Sequence, residues 1–457
     1  MVAIKPVEIL DTFCGAGGSS TGAALAIEEL GMRPILTCVN HNPRAIQTHE
    51  VNHPGARHFC TGVDDLNFTV MYGGTVLDIL WSSPSCTQHS NAKGGTPINE
   101  QDRATGWSVV NIASALLPPV ILCENVRQWL KWGPCIRKWS KKKNCWLFFP
   151  DKKRLGETFR AWAAALRSLG YKVEWRVLCC ADYGDPTTRE RLFVQCVLGK
   201  RKTVWPDATH ASPSVMAKFK TDLFAPSCTI LPWVTGHDII DWSLPISSIF
   251  TRKKALVAKT IRRILLGLDR FGLRELTLGG SVLQGHSYLV HQMGQSVAQE
   301  VTAPISAITG GPKHYLTIPV LTKLDADTNL PPCLLSPDPM IRCIVEDVMD
   351  SIAPSNFQFH HEWHSSGRPI IVIEGVRYVL EILFRMLQVP ELSAGQGFPR
   401  DYQFKGTQTE VIKQIGNAVP CNTARALVKA VLTQNSNVGL PSCDRRALNS
   451  GGEIQPH

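Results

Sequence analysis

Two side chains of types that carry out covalent and proton-transfer chemistry stand where apolar runs stop. Cys86 follows Trp81-Ser82-Ser83-Pro84-Ser85, at the exit of an apolar run over residues 75–81. Glu124 follows Pro119-Val120-Ile121-Leu122-Cys123 and leads into Asn125-Val126. Short apolar runs of this kind read as buried parallel strands. In an open α/β sheet, ligands bind outside the carboxyl ends of the strands. A thiol placed there is a candidate nucleophile, and a carboxylate is a candidate proton donor or acceptor. A lone cysteine is more often a small buried hydrophobe, so the reading of Cys86 depends on its neighbours. Arg189 and Arg191 lie in Thr187-Thr188-Arg189-Glu190-Arg191 and share a face at strand period. Two guanidinium groups on one face imply an anionic or carbonyl-rich partner, or an internal ion pair.

These groups need a sheet to hold them. Glu8-Ile9-Leu10-Asp11-Thr12-Phe13 reads as a first strand, Cys14-Gly15-Ala16-Gly17-Gly18 as a glycine turn, and residues 21–30 as a helix. Glycines let the backbone approach a ligand, and the helix start offers unpaired N–H groups. The spacing is not the dinucleotide pattern G-x-G-x-x-G, which argues against a nicotinamide oxidoreductase. A second strand over residues 34–39 ends at Asn40-His41, where nucleoside-binding sheets often carry a ribose-holding acid. Asp64 and Asp65 follow a third short strand and read either as acids near the pocket or as turn caps. The polar segment 89–101, too rich in Gly and Asn for a core, reads as a lid over the site.

The chain has 457 residues and a net charge of +10, which suits a polyanionic partner. The excess is clustered in residues 131–154, where Trp and Phe alternate with Lys and Arg, and again in residues 252–263. Such runs are either solvated loops or phosphate contacts. The fifteen cysteines form no C-x-x-C pair and no His-flanked set, so neither a disulfide framework nor a structural metal is expected. No apolar run reaches about 18 residues and no leader is evident, giving a cytoplasmic, membrane-free expectation.

Strand–helix alternation runs to about residue 200. Residues 201–375 are richer in Pro, Ser and Thr and read as a second, irregular domain. Patterning returns over 376–434, and the polar tail 435–457 reads as disordered. The fold expected is α/β, a doubly wound, mostly parallel Rossmann-like sheet with a second domain.

Taken in order, several of these pieces resemble one family, the DNA cytosine-5 methyltransferases. Asp11-Thr12-Phe13-Cys14-Gly15-Ala16-Gly17-Gly18 is similar to its cofactor loop. Pro84-Ser85-Cys86 is similar to its Pro-Pro-Cys turn, with Ser85 replacing the second proline. Glu124-Asn125-Val126 matches its Glu-Asn-Val, and Thr187 to Arg191 resembles its Gln-x-Arg-x-Arg. Gln396-Gly397-Phe398-Pro399 and Gln414-Ile415-Gly416-Asn417-Ala418-Val419-Pro420 match its two closing motifs. Segments near Cys86, His237 and Pro304 are similar to the bacteriophage-borne branch. The resemblance implies that Cys86, Glu124, Arg189 and Arg191 are catalytic. It implies S-adenosylmethionine contacts at Phe13, Gly15, Gly17, Gly18, Asn40, His41, Asp64, Pro84 and Asn417. It also implies base or strand contacts at Ser85, Gln88, Ser90, Asn125 and Val126. The implied partner is duplex DNA, bound by a monomer without a metal, with residues 201–375 as the reader of the target. That large middle region separates a DNA reading from an RNA one, and the intact reactive residues separate an enzyme from a silent relative.

Overall fold

The computed structural model describes residues 4–85, 103–141, 144–221, 230–252, 255–273, 282–292, 298–309, 311, 313–324 and 339–436. The first sheet has seven strands. In chain order they are β1 (Pro6–Thr12), β2 (Arg33–Val39), β3 (Arg57–Phe59), β4 (Ile79–Ser82), β5 (Val120–Asn125), β8 (Tyr171–Cys179) and β9 (Glu190–Leu198). Two further strands, β6 (Cys135–Ser140) and β7 (Cys145–Pro150), pair only with each other. The spatial order is β3-β2-β1-β4-β5-β9-β8. Strands β1 to β5 run parallel, and β9 enters antiparallel between β5 and β8. The expected α/β, mostly parallel, doubly wound architecture is therefore the observed one.

The strand sequences explain the two covered faces. Successive side chains point to opposite sides. Leu10, Leu80 and Ile121 join Val109, Ile112, Phe159 and Trp162 of helices Trp107–Leu116 and Glu157–Ser168 on one face. Ile9, Ile79, Val120 and Leu122 join Ala23, Ala26 and Ile27 of helix α1 (Gly18–Glu29) on the other. That second face also receives Ala424, Leu427 and Val428 from the last helix, Cys421–Ser436. Of the apolar run 75–81 only residues 79–81 are strand, which continues to Ser82; residues 75–78 are a connection.

The second domain departs from the irregular expectation. Its described residues form an eight-stranded sheet whose pairings are all antiparallel, built around strands His314–Lys323 and Val376–Met386. The boundary expected at 375/376 moves with it, because residues 376–386 form a central strand of this sheet, burying Tyr378, Leu380, Ile382 and Phe384. The fourteen-residue helix Pro339–Ile352 was also missed, although Ile341, Val345, Val348 and Met349 are spaced for one buried helical stripe. The last helix runs to Ser436, two residues into the stretch expected to be disordered, and residues 437–457 lie outside the described residues. Among the described residues no helix is long and apolar enough to cross a membrane.

Candidate active site

Beyond the carboxyl ends of β4 and β5 the chain is tied into one cluster. Ser83, Pro84 and Ser85 leave β4, and the Asn125 side chain donates to the Pro84 carbonyl at 3.1 Å. Its own carbonyl oxygen accepts from Val126 N–H at 2.8 Å, so this fully buried amide fixes two turns at once. The Ser85 N–H donates to Thr105 Oγ1 at 3.1 Å. Pro84 is buried and Ser85 half-buried. Cys86, Gln88, Ser90 and the expected lid 89–101 lie outside the described residues.

Glu124 is buried at the end of β5, where β9 runs beside it in antiparallel register with Phe193 opposite. Arg191 Nε donates to Glu124 Oε1 at 2.9 Å, with both side chains largely covered. Burial pushes the Glu124 carboxyl above its ordinary range, against the opposing pull of Arg191 and then Arg189. The result is a carboxyl that holds a proton more readily than usual and is oriented by a guanidinium.

Arg189 and Arg191 both act on Glu124 through their charge, but their hydrogen bonds differ. Arg189 turns inward, where its Nη1 donates to the carbonyls of Gly416 at 2.7 Å and Ile308 at 3.2 Å. It thus joins the strand to the second domain and to the helix Gln408–Asn417. β9 begins at Glu190, one residue after Arg189, whose carbonyl still accepts from Cys180 N–H at 3.0 Å. Arg191 hydrogen-bonds Glu124, while Arg189 bears on that carboxyl through its charge and is anchored to two backbone carbonyls.

At the start of the sheet the glycine loop divides into two kinds of position. Phe13 adopts φ 59° and Gly15 φ 55°, turning the chain sharply after β1. A Cβ on Gly15 would meet nothing closer than the Phe13 carbonyl at 3.9 Å, so this stretch leaves room for a ligand. Gly18 is different, since a Cβ there would lie 2.1 Å from the Val419 carbonyl oxygen. Gly17, at φ 95°, would put a Cβ 2.5 Å from the Tyr402 hydroxyl. On the side a Cβ would take, Gly17 and Gly18 pack closely against the chain's closing segments, so glycine is required at both whatever their backbone faces.

The remaining expected positions ring the same end of the sheet. Asn40 is buried after β2, and its Oδ1 accepts from Asn42 N–H at 2.9 Å, shaping the turn into helix Pro43–Asn52. His41 and Asp64 are exposed. Asn417 is also exposed, two residues before the Val419 that covers Gly18.

Three buried groups escaped the sequence reading. Asp11, in β1, accepts from both Ser19 Oγ and Ser20 Oγ at 2.6 Å and is pushed up to about 6 by burial. Ser20 continues through His49 Nε2 at 2.9 Å to His58, whose Nε2 is 2.8 Å from His49 Nδ1. One ligand atom each of Cys38, His49 and His58 lies within 4.8 Å of the others, a spacing at which a metal ion could be held. Hydrogen bonds among these groups account for the spacing without one, and burial favours neutral His49. Asp185 accepts from Asn422 N–H at 3.0 Å, Thr423 N–H at 2.8 Å and Thr423 Oγ1 at 2.6 Å. Its placement just before Pro186 marked a turn, but nothing local marked a partner more than two hundred residues away.

The sequence matches the model of the C-5 cytosine-specific DNA methylases over residues 7–142, 148–228 and 352–433, well over half of the chain. The chain belongs to this family. The methylase match takes in the glycine loop, the Ser83–Ser85 turn, Glu124, Arg191 and the closing helices in order. Among relatives, the chain is 35% identical over 439 residues to the type II methyltransferase M1.HphI of Haemophilus parahaemolyticus, covering 94% of this chain and 87% of that protein. It is 23% identical to DNA (cytosine-5)-methyltransferase 4 of Arabidopsis thaliana, and there it spans only 28% of the relative's length. A solved mutant of Spodoptera frugiperda DNMT2 shares the methylase fold at a TM-score of 0.50 and 14% identity, covering 93% of this chain and 99% of that one.

Proposed function

We propose that the protein is a DNA (cytosine-5) methyltransferase that methylates C5 of a flipped-out cytosine in duplex DNA and acts as a monomer. The observation that carries this reading is the buried Glu124–Arg191 pair beside the Asn125-pinned turn leading to Cys86. Cytosine C5 is too weak a nucleophile to accept a methyl group unaided. Addition of the Cys86 thiolate at C6 turns C5 into an enamine carbon. Glu124, whose carboxyl burial makes readier to hold a proton, donates to N3 as charge builds on the ring. Arg191 orients that carboxyl and adds positive charge beside the ring carbonyl. Asn125 sets the turn that presents the thiol. After methylation, loss of the C5 proton and β-elimination release Cys86.

S-adenosylmethionine supplies the electrophilic methyl group when bound. The open surface at Phe13 and Gly15 fits it, with His41, Asp64 and Asn417 exposed at the same end of the sheet. The reacting carbon of cytosine is inside the stack of a duplex, so the base must leave it. Gln88 and Ser90, immediately after the thiol in sequence, are assigned to hold the extruded base and its strand, and residues 201–375 with the strand 376–386 to read the target.

The test uses methyl-tritiated S-adenosylmethionine with duplex DNA, single-stranded DNA and RNA in parallel. Label should enter the duplex, and Cys86→Ala should abolish it. A duplex with 5-fluorocytosine at the mapped target should trap a covalent adduct at Cys86. Label entering RNA alone, or no adduct at a site that is otherwise methylated, would overturn the reading.

A further inference from the structure

The hairpin β6–β7 belongs to neither large sheet. Its register sets Trp139 opposite Trp146, with ring centroids 5.4 Å apart in an edge-on contact. Directly opposed residues share a face. One face therefore carries Arg137, Trp139, Trp146 and Phe148, and the other Lys138, Leu147 and Phe149. The Arg137 guanidinium lies 5.5 Å from the centre of the Trp146 ring, and Lys138 Nζ 5.6 Å from that of Phe149. Yet Trp139 is 48% exposed and Trp146 55%.

The charge of this segment has one sign. Between Val126 and Asp151 the sequence holds seven Lys or Arg residues and no Asp or Glu. Among the described residues, ion pairs flank the hairpin at Arg127–Glu190 and Arg154–Glu157 but do not reach Arg137, Lys138 or Lys141. An isolated two-stranded hairpin is marginal in water, and an exposed indole pair on it is a liability unless something covers it. A second copy of the chain would bring like charges together, whereas a nucleic-acid backbone complements them.

The root of the hairpin stands at the active site. Trp132 stacks on the buried Trp129 at 5.7 Å, and Trp129 lies in the turn that follows Asn125-Val126. Arg103 Nη1 donates to Cys135 Sγ at 2.7 Å, tying the root to the first residue described after the Cys86 segment. Within the hairpin the family match breaks only at residues 143–147, across its far end.

We propose that the hairpin is a phosphate-contacting finger, which enters a groove of duplex DNA beside the target base so that Arg137 and Lys138 on its two faces and Lys141 at its turn meet backbone phosphates. The Trp139–Trp146 pair stiffens the finger and packs on the sugars. Six-residue strands at about 3.3 Å per residue reach about 20 Å, roughly six phosphates along one strand. The proposal rests on the reading that this chain acts on DNA.

Binding of the purified full chain to a duplex of about 30 base pairs, measured over a salt series, tests it. Each lost phosphate contact lowers the slope of log affinity against log salt by about 0.9. The triple variant Arg137→Gln, Lys138→Gln, Lys141→Gln should reduce the slope by about 2–3 and raise KM for DNA with kcat held. Should the triple variant fold poorly, Lys141→Gln alone should lower the slope by about 0.9. An unchanged slope would overturn the finger, as would a shift in solution mass on Trp139→Ala, Trp146→Ala without any change in slope. An active parent with an unchanged slope sinks only this proposal. A parent with a hairpin-dependent slope but no methyl transfer sinks only the activity.

Discussion

In the first sheet five strands run parallel, both faces are covered, and the site's polar groups stand beyond strand carboxyl ends or on the adjoining β9. In the second sheet neighbours run antiparallel, one side packs on helices Ala258–Gly267 and Pro339–Ile352 and the other joins a smaller cluster with Ile305, Leu392 and Ile415, and the strongest polar feature is a structural one. That feature is the buried pair Arg385–Glu391, closed by two contacts of 2.7 and 2.8 Å. Glu391 also accepts from Gln388 N–H, while Arg385 reaches the Asp241 carbonyl. The difference teaches where substitutions should read out. Parallel strands aim their ends at one crevice, so changes there should appear in kcat. The antiparallel sheet is a scaffold, so changes there should appear in stability or in DNA affinity.

The largest expected effect is at Cys86. Cys86→Ala should lower methyl transfer by roughly 10⁴-fold or more, the scale of losing a nucleophile, with thermal stability unchanged. Glu124→Gln comes next, with a loss in kcat of about 10²–10⁴. Its pH profile sharpens the point. The proton on Glu124 is needed and its pKa is raised, so parent activity should fall as pH rises through that raised value. The variant, unable to lose a proton, should lack this falling limb; a limb that persists would move the role to another group.

Arg385→Met tests the second sheet. It leaves Glu391 buried without its partner, a loss of about 3–5 kcal/mol that urea unfolding would register. Activity per folded molecule should stay within a few-fold of the parent; a collapse in kcat would break the contrast between the sheets. The smallest effect belongs to Asp185, pushed up to about 7 by burial from an ordinary value near 3.8. Its raised folded-state pKa means its contribution to stability is full in acid, below the unfolded value, and is lost as pH rises through about 7. Asp185→Asn should flatten the corresponding fall in Tm between about pH 4 and 7 by a few degrees, as scanning calorimetry across that range would show.

The first sheet was legible because its signals are local. Apolar runs ending in Ser-Ser-Pro or Glu-Asn-Val mark strand exits, and a glycine turn before a helix marks the first crossover. The ties between those exits were not legible. Asn125 to Pro84, Arg189 to Ile308 and Gly416, and Asp185 to Thr423 join residues distant in sequence through one or two hydrogen bonds each, which leave no periodic trace. The second sheet was read as irregular because most of its strands are short and separated by polar connections. Gly18 shows the subtler limit, since a glycine required by a neighbour's carbonyl and one required by a ligand look the same in sequence.

The packing of α1 on the last helix has a consequence for synthesis. Gly22 and Ala23 rest against Cys421, Ala424 and their neighbours, so the face of α1 that leaves the ribosome first is closed by residues made about 400 positions later. At about 5–20 residues per second that face waits tens of seconds for its partner. The nascent amino-terminal half must therefore stay soluble with one side of its sheet unfinished. Closure of this face cannot begin before the helix Cys421–Ser436 has been translated.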